Sequence, residues 1–321
     1  MDRKRTPESL QAVLLAGNAN PALASATAAA YGHPLAEATI SRFSDGETRV
    51  EIAENLRQKD VFVIQPTCPP VNDNLMELVI MADACRRASA RSVTAVVPYF
   101  GYSRQDRKSS SRSPITSKLA MDMLVGAGVQ RVLSMDLHAA QIQGFANIPV
   151  DNLYTLPLMA ADIKNNYKTD DLVVVSPDVG GVRRARALAK VLACPMAIID
   201  KRRDSPNSSQ VLHVIGDVRG KTCVIYDDMI DTAGTITQAA DVLTSQHGAS
   251  AVMACASHGV LSGPALQRLE NSHLSETLLT DTIPLPDGAE KARIRTLPAA
   301  PLLAEAMHRI ISGASLSALF E

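Results

Sequence analysis

The sequence predicts an α/β protein with two parallel sheets, and three observations lead to that fold class. Short apolar runs alternate with helical patterns along almost all of the 321 residues. Several of these runs pass through a short turn of glycine, serine, threonine or aspartate directly into a helical pattern. The alternation restarts after Asp151, and each half has about the size of one doubly wound domain. We therefore expect parallel strands joined by right-handed crossovers in both halves.

The first half contains four strand patterns and two helical patterns. The strand patterns are apolar runs of a length typical of buried strands, at residues 12–16, 61–65, 93–97 and 131–135. The helical patterns cover residues 72–87 and 115–125. The segment 148–152 is the best boundary, which gives a first domain of residues 1–150.

The second half repeats the theme. Its strand patterns are residues 172–176, 195–199, 221–226 and 251–256, and its helical patterns are residues 157–163, 181–192, 234–245, 263–269 and 301–312. The helix from residue 234 is the best defined, because Ile236, Ala239, Ala240 and Leu243 fall at i, i+3, i+4 and i+7.

Composition excludes several classes of partner. The net charge of −1, the 3% aromatic content and the absence of tryptophan argue against nucleic-acid binding. The five cysteines contain no C-x-x-C pair, which favours free thiols in a reducing compartment. No apolar run approaches membrane-spanning length and no signal-peptide pattern follows Met1. We expect a cytoplasmic protein that binds neither nucleic acid nor membrane.

The segment 223–236 carries the strongest functional signal. An apolar run reaches Asp227 and Asp228, and a Thr/Gly turn then opens the helix at residue 234. The start of a helix at the carboxyl edge of a parallel sheet favours a phosphate group. The two carboxylates would repel that phosphate, so they suit sugar hydroxyls or a divalent cation. The combination predicts a ribose 5-phosphate cradle, although an acidic turn before a capped helix is also common in α/β proteins.

Further polar clusters follow other strand patterns. Residues 104–112 hold four cations that could cradle a polyphosphate, or form a solvated surface loop. His138 could bind a nucleotide-bound Mg²⁺, but a lone histidine is more often structural. Asp178 precedes two glycines that let a backbone approach a ligand closely. Lys201 and Arg203 begin a polar stretch that could be a mobile loop closing over a phosphoryl group, or merely a hydrophilic loop.

Taken together, these segments resemble the class I ribose-phosphate pyrophosphokinases, or phosphoribosyl pyrophosphate (PRPP) synthetases, over nearly the whole chain. The matching segments are residues 42–47 (RFSDGE), 72–78 (NDNLMEL), 102–106 (YSRQD), 136–145 (DLHAAQIQGF), 176–181 (SPDVGG), 201–203 (KRR), 227–235 (DDMIDTAGT) and 258–263 (HGVLSG). Eight motifs in order are far more specific than any one of them. No Walker A motif is present, so ATP would bind without a P-loop.

The resemblance implies a fold and a reaction. The fold is two tandem phosphoribosyltransferase-like domains, each with a central, mainly parallel sheet flanked by helices. Residues 1–150 would carry the ATP-binding elements, with residues 306–321 packing back on them, and residues 151–305 the ribose 5-phosphate site and a flexible catalytic loop. The reaction transfers the diphosphoryl group of MgATP to the 1-hydroxyl of ribose 5-phosphate, giving PRPP and AMP for nucleotide, histidine and tryptophan biosynthesis. The family assembles from homodimers into hexamers.

The resemblance also implies roles for individual residues. Lys201 and Arg203 would stabilise the transition state, and His138 and Asp178 would contact Mg²⁺. The residues expected to bind ATP are Phe43, Asp45 and Glu47 around the adenine, often across a subunit contact, and Arg104 and Gln105. The residues expected to bind ribose 5-phosphate are Asp227 and Asp228 at the hydroxyls, which also reach metal, and Asp231, Thr232, Ala233, Gly234 and Thr235 at the phosphate.

Some positions depart from the family pattern. Ala233 stands where glycine or cysteine is usual, a small-for-small change that should preserve the turn. Ser109 and Ala140 lie in stretches that resemble the family's allosteric region, so regulation stays open. Two other functions also stay open: a phosphoribosyltransferase, which would leave residues 43–47 and 104–105 without a role, and a non-catalytic regulatory relative, which would be expected to have lost site charges that this chain retains.

Overall fold

The computed structural model describes residues 12–202 and 211–320. The strands are β1 Ala12–Ala16, β2 Ala38–Arg42, β3 Thr48–Ile52, β4 Asp60–Ile64, β5 Ser92–Val97, β6 Arg131–Met135, β7 Val150–Leu153, β8 Leu172–Ser176, β9 Met196–Arg202, β10 Val211–Ile215, β11 Thr222–Ile230, β12 Ala251–Gly259, β13 Leu274–Thr280 and β14 Ile294–Leu297. The α-helices are α1 Pro21–Tyr31, α2 Val71–Arg87, α3 Thr116–Ala127, α4 Leu156–Asn166, α5 Val182–Leu192, α6 Gly234–Ser245, α7 Ala265–Glu270 and α8 Ala300–Ser312.

The chain divides into two compact units. Unit 1 comprises Met1–Tyr154, Thr282–Pro284 and Pro298–Glu321, and unit 2 comprises Thr155–Asp281 and Leu285–Leu297. The division falls four residues after the boundary expected from the sequence. The C-terminal segment that belongs to unit 1 begins at residue 298 and thus includes the whole of α8.

Unit 1 is a doubly wound sheet with an appended hairpin. Its five strands run parallel in the order β1-β4-β5-β6-β7. On one face Leu78 of α2 and Leu124 of α3 pack into a core with Val61, and on the other face α1 and α8 pack through Leu23 and Leu303. Both faces are therefore covered, which explains why its strands are mostly apolar. Strands β2 and β3 form a separate antiparallel pair.

Unit 2 is a seven-stranded sheet in the order β10-β9-β8-β11-β12-β13-β14. Its strands are parallel except β10, which pairs antiparallel with β9 at one edge. Helices α4 and α5 cover one face, where Met159 and Leu188 are buried, and α6 and α7 cover the other through Leu243 and Leu269. These two sheets confirm the predicted fold class.

Three strands of unit 2 run further than their apolar runs indicate, and the simplest case is the predicted strand 251–256, which extends to Gly259. The predicted strand 221–226 extends to Ile230, because β12 continues beside it as far as the Ile230–Gly259 pair. The predicted strand 195–199 extends to Arg202, because β10 pairs with it through Arg202 and Val211. Ladder pairing with a neighbouring strand, which a local pattern does not reveal, sets the ends of β9 and β11. Within the described residues, no helix combines the length and the apolar character that crossing a membrane requires.

Candidate functional site

The predicted sugar-phosphate cradle lies at the carboxyl end of β11. Asp227 and Asp228 are part of the strand and not of the turn after it, which corrects the expectation from the sequence. Asp227 pairs with Ala256 of β12 and is half-buried, whereas only 2% of Asp228 is exposed. Two adjacent carboxylates are thus held on rigid backbone at the edge where parallel sheets bind ligands.

The electrostatics of this pair are strongly perturbed. Burial, and then the neighbouring charge of Asp228, raise the pKa of Asp227 to about 7, while Arg184 acts in the opposite direction. Arg184, on the first turn of α5, places its Nη1 atom 3.2 Å from an Oδ1 atom of each carboxylate. The two adjacent carboxylates therefore concentrate negative charge at this point, which attracts a cation or hydroxyl groups that donate hydrogen bonds.

The loop from Asp231 to Gly234 joins β11 to α6 and is fixed from outside. Ala233 has φ +60° and caps α6, whose first N–H groups are the ones that intrahelical bonds leave unused. Arg268 of α7 donates to the carbonyl oxygen of Thr232 at 2.9 Å, and Ser262 donates to the carboxylate of Asp231. The result is a rigid, positively polarised turn, suited to a phosphate, next to the carboxylate pair.

The predicted metal contact Asp178 lies one strand away. It follows β8, which pairs with β11 through Val175 and Ile225. One oxygen of Asp178 accepts the N–H of Gly181 at 2.9 Å, so this carboxylate orders its own turn. A side chain at Gly181 would meet Ser176 Oγ at 2.9 Å, which explains the need for glycine there.

The two predicted catalytic cations are placed differently from the expectation. Lys201 belongs to β9, where it pairs with Leu212 of β10, and does not lie in a loop. Arg203 and the rest of the predicted mobile segment, residues 203–210, lie outside the described residues. Strand β9, which carries Lys201, lies next to β8, and β8 is the neighbour of β11.

In unit 1, the predicted adenine-binding residues form the turn of the β2–β3 hairpin. The N–H of Phe43 donates to the carbonyl of Glu47 at 2.8 Å, and the N–H of Glu47 donates to the carboxylate of Asp45 at 3.0 Å. Gly46 adopts φ +94°, a left-handed conformation that favours glycine. Phe43 is 52% exposed, so its ring is available to stack on a ligand.

The predicted phosphate-binding residues Arg104 and Gln105 follow β5. Gln105 accepts a hydrogen bond from the hydroxyl of Thr116 at 2.5 Å. The first turn of α2 lies between this loop and the hairpin. Tyr102, two residues before Arg104, donates to Asn72, and Arg42, beside Phe43, pairs with Asp73 at 2.8 Å. Helix α2 therefore holds both predicted halves of the nucleotide site at the same edge of the sheet.

His138 lies in the next loop, after β6, and its side chain is exposed. Its neighbour Leu137 donates its N–H to the side chain of Asn152 at 2.9 Å. Gln141 reaches back to donate to Asp106, in the loop that carries Arg104. Unit 1 thus brings the loops after β5 and β6 together, with the predicted nucleotide and metal residues on them.

Sequence reasoning missed three contributors to these sites. Arg184 was not predicted. The available signal is its position in the first turn of a helix, which is unfavourable for a cation and therefore indicates a partner elsewhere. Asn72 and Asp73 were matched as a motif but assigned no role. No local pattern shows their contacts, which join elements 30 or more residues apart in the chain.

Comparisons with known proteins show which family the chain resembles. The family model for the N-terminal domain of ribose phosphate pyrophosphokinase matches residues 12–128, and that for the phosphoribosyl synthetase-associated domain matches residues 203–321. The ribose-phosphate pyrophosphokinase of Burkholderia pseudomallei is 56% identical over 311 residues, which cover 96% of this chain and 97% of that protein. That of Caldanaerobacter subterraneus subsp. tengcongensis is 53% identical over 307 residues, with the same coverage.

A solved structure shows the same relationship. The crystal structure of phosphoribosylpyrophosphate synthetase from Mycobacterium smegmatis matches with a TM-score of 0.90 at 41% sequence identity, covering 95% of this chain and 100% of that one. The two family models together span most of the chain, and the relatives match it almost end to end. The chain belongs to the ribose-phosphate pyrophosphokinase family.

Proposed function

We propose that this chain transfers the diphosphoryl group of MgATP to the 1-hydroxyl of ribose 5-phosphate, giving PRPP and AMP. The observation that carries the proposal is the carboxylate pair of β11 beside the α6 turn, which offers hydroxyl acceptors and a phosphate cradle a few residues apart. The relatives named above, at more than half identity over nearly their whole length, support the same reaction.

Unit 2 provides the residues that bind the acceptor sugar in this proposal. Asp227 and Asp228 accept hydrogen bonds from the ribose hydroxyls, and residues 231–235 bind the 5-phosphate. The backbone N–H groups at the start of α6 donate to the phosphate oxygens. Arg268 keeps the turn in place through its bond to Thr232. A sugar held at both ends presents its 1-hydroxyl in one orientation, which is the main requirement of phosphoryl-type transfer.

Unit 1 provides the residues that bind the nucleotide in this proposal. Phe43 stacks on the adenine, and Asp45 and Glu47 accept from it or hold the hairpin turn that presents the ring. Arg104 binds the phosphates with its planar guanidinium, assisted by Gln105. The hairpin and the Arg104 loop are both tied to α2, which supports a preformed nucleotide site.

The residues present fit Mg²⁺ delivered with the nucleotide. Among the residues that the structure describes, no three His, Cys, Asp or Glu side chains converge as a metal site. Mg²⁺ typically takes only one or two protein carboxylates and completes its shell with water and phosphate oxygens. Taken by itself, unit 1 would offer it His138, and unit 2 would offer it Asp178 and the Asp227–Asp228 pair. When bound, Mg²⁺ would neutralise charge on the transferring group.

Lys201 and Arg203 complete the proposal as the cations that stabilise the transition state. They are assigned by their motif alone, and no general base is required because transfer depends chiefly on positioning and charge neutralisation. Self-association into homodimers and hexamers, and a cytoplasmic location, belong to the same proposal.

One assay tests the reaction. Purified protein is incubated with MgATP and ribose 5-phosphate, and AMP release is followed by chromatography. We expect AMP to form only when ribose 5-phosphate is present. AMP formation at the rate of a control without the sugar would reject the synthetase function. In a parallel reaction, PRPP and purine or pyrimidine bases are supplied without ATP, and nucleotide formation there would instead support a phosphoribosyltransferase.

A further inference from the structure

We infer that Arg184 is a positioning residue for the sugar substrate, which holds the carboxylates of Asp227 and Asp228 converged before ribose 5-phosphate arrives. The inference deepens the proposed function and rests on it, since it assigns those carboxylates to the sugar hydroxyls. This arginine lies outside the sequence motif of residues 227–235, at a distance of 43 residues from Asp227 in the chain.

The arrangement of the two carboxylates departs from ordinary strand geometry. Side chains of successive strand residues normally point to opposite faces of a sheet. Here one Nη1 atom of Arg184 nevertheless lies 3.2 Å from an Oδ1 atom of Asp227 and 3.2 Å from one of Asp228. A single guanidinium therefore draws together two groups that would otherwise diverge and repel each other.

Two carboxylates this close together repel each other. Arg184 offsets that repulsion with a guanidinium charge placed 3.2 Å from both of them. Asp227 also accepts the N–H of Asp228 at 2.9 Å, which fixes its rotamer on the strand. The pair is thus kept as an acceptor site in the absence of substrate.

The position of Arg184 on α5 is unfavourable for a cation. Arg184 lies in the first helical turn, where the positive end of the helix dipole disfavours a cation. Arg183 and Arg186 on the same helix are exposed, whereas Arg184 is half-buried against β11. The carboxylate pair is therefore the partner that accounts for the position of its charge.

The test compares Arg184→Met and Arg184→Lys with a matched control, Arg186→Ala, which removes an exposed cation from the same helix. Ribose 5-phosphate binding is measured by calorimetry without nucleotide, and KM for each substrate and kcat are measured in the AMP assay. We expect Arg184→Met to weaken sugar binding and raise its KM at least about tenfold, the effect of losing a charged hydrogen-bond partner. KM for ATP should stay within about twofold of wild type, as for the control.

If the methionine variant does not fold, the inference is tested with Arg184→Lys, which retains the positive charge beside the two carboxylates. A lysine is a point charge without the planar fork, so we expect sugar affinity between those of wild type and Arg184→Met. Added guanidinium ion at millimolar concentration should restore part of the lost affinity in Arg184→Ala. Restoration of this kind would not follow from a purely structural role.

The outcomes separate this inference from the proposed function. Arg184 variants that fold and bind ribose 5-phosphate as tightly as wild type overturn the inference and leave the function intact. A fall in kcat with unchanged sugar binding also overturns it, because the arginine would then act on the transferring group. Wild-type protein that binds ribose 5-phosphate but releases no AMP overturns the proposed function, while loss of that binding in the variants would still support the inference.

Discussion

At the scale of single residues, the backbone of Ala233 shows what the phosphate turn requires. The residue is buried and adopts φ +60°, a left-handed conformation that costs a residue with a Cβ atom about 1–2 kcal/mol. Alanine is the smallest side chain that still carries this strain. The strain is offset by the turn's external bonds, such as that from Arg268 to Thr232.

Substitutions at Ala233 test this account. We expect Ala233→Gly to change the free energy of unfolding by less than about 1 kcal/mol, because relief of backbone strain offsets the greater freedom of the unfolded chain. Ala233→Val should cost about 2 kcal/mol or more and raise KM for ribose 5-phosphate, since a β-branched residue is poorly accommodated at positive φ. Denaturant unfolding and the AMP assay measure both effects. Equal stability of the glycine and valine variants would contradict the conformational argument.

The sequence predicts some of these residues much better than others. The bounds of α6 are predicted to the residue, because the period of Ile236, Ala239 and Leu243 is a local property. The position of Asp227 within β11 is not, because pairing with β12 decides where the strand ends. The contact of Arg184 with both carboxylates depends on the packing of α5 on the sheet, and that packing follows only from the fold.

At the scale of elements, polar ties at the strand starts complement the apolar packing of the sheets. Asp60, the first residue of β4, accepts from Arg91 Nε at 2.9 Å and from the hydroxyl of Ser92 at 2.6 Å, where β5 begins. The Arg91 hydrogen bond holds the pKa of the Asp60 carboxyl below its usual value. Helix α1, by contrast, was not predicted, although Asn20 caps it and Pro21 begins it. Its alanine-rich sequence gives no apolar period.

The Asp60 tie predicts a dependence of stability on pH. Because its pKa is lowered in the folded state, its contribution is complete above the unfolded pKa of about 4 and is lost as the pH falls below that value. Asp60→Asn should lower the free energy of unfolding by about 1–2 kcal/mol at pH 7 and by progressively less below pH ~4. Urea unfolding between pH 3 and 7 measures the difference.

A matched control for this prediction lies on β3. Arg49 and Glu51 form an ion pair at 2.8 Å with both side chains largely exposed. Glu51→Gln should change stability by less than about 0.5 kcal/mol at every pH, as exposed pairs usually do. A pH-independent loss in Asp60→Asn would show that the hydrogen bonds, and not the charge, provide the stabilisation.

The two cations proposed to stabilise the transition state are Lys201, near the end of β9, and Arg203, which comes after that strand in the sequence, and they can be tested together. The double variant Lys201→Ala/Arg203→Ala should lower kcat by about 100-fold or more with little change in either KM, since both residues act mainly in the transition state. Lys190→Ala, which removes an exposed cation from α5, is the control and should behave as wild type. A rise in KM with unchanged kcat would assign the pair to substrate binding instead.

At the scale of the whole molecule, the proposed division of labour follows the two units. The predicted nucleotide residues lie in unit 1, and the predicted sugar-phosphate residues lie in unit 2. Each unit has its own sheet with apolar cores on both faces. A variant in one unit should therefore leave the binding residues of the other unperturbed. The alternation of strands and helices predicted this duplication, because it is a property of the whole sequence.

Two single variants test the division. Phe43→Ala should raise KM for ATP about tenfold, as loss of a base-stacking aromatic does, and leave KM for ribose 5-phosphate unchanged. Asp227→Asn should raise KM for ribose 5-phosphate without lowering the melting temperature of the ligand-free protein, because it removes one of two adjacent buried charges. Steady-state kinetics and thermal melting give both readouts. Changes in both KM values in each variant would contradict the division.

Unit 1 is built from segments at both ends of the chain, and this affects the order in which the protein folds during synthesis. Helix α8 and α1 pack on the same face of its sheet, around residues such as Leu14 and Leu303. The ribosome makes that helix last, after every segment of unit 2 has emerged. Until then one apolar face of the first sheet lacks one of the two helices that cover it. Nascent chains that stop before residue 298 should therefore engage chaperones through unit 1, although unit 1 is begun first. Every segment of unit 2 is already present in such chains.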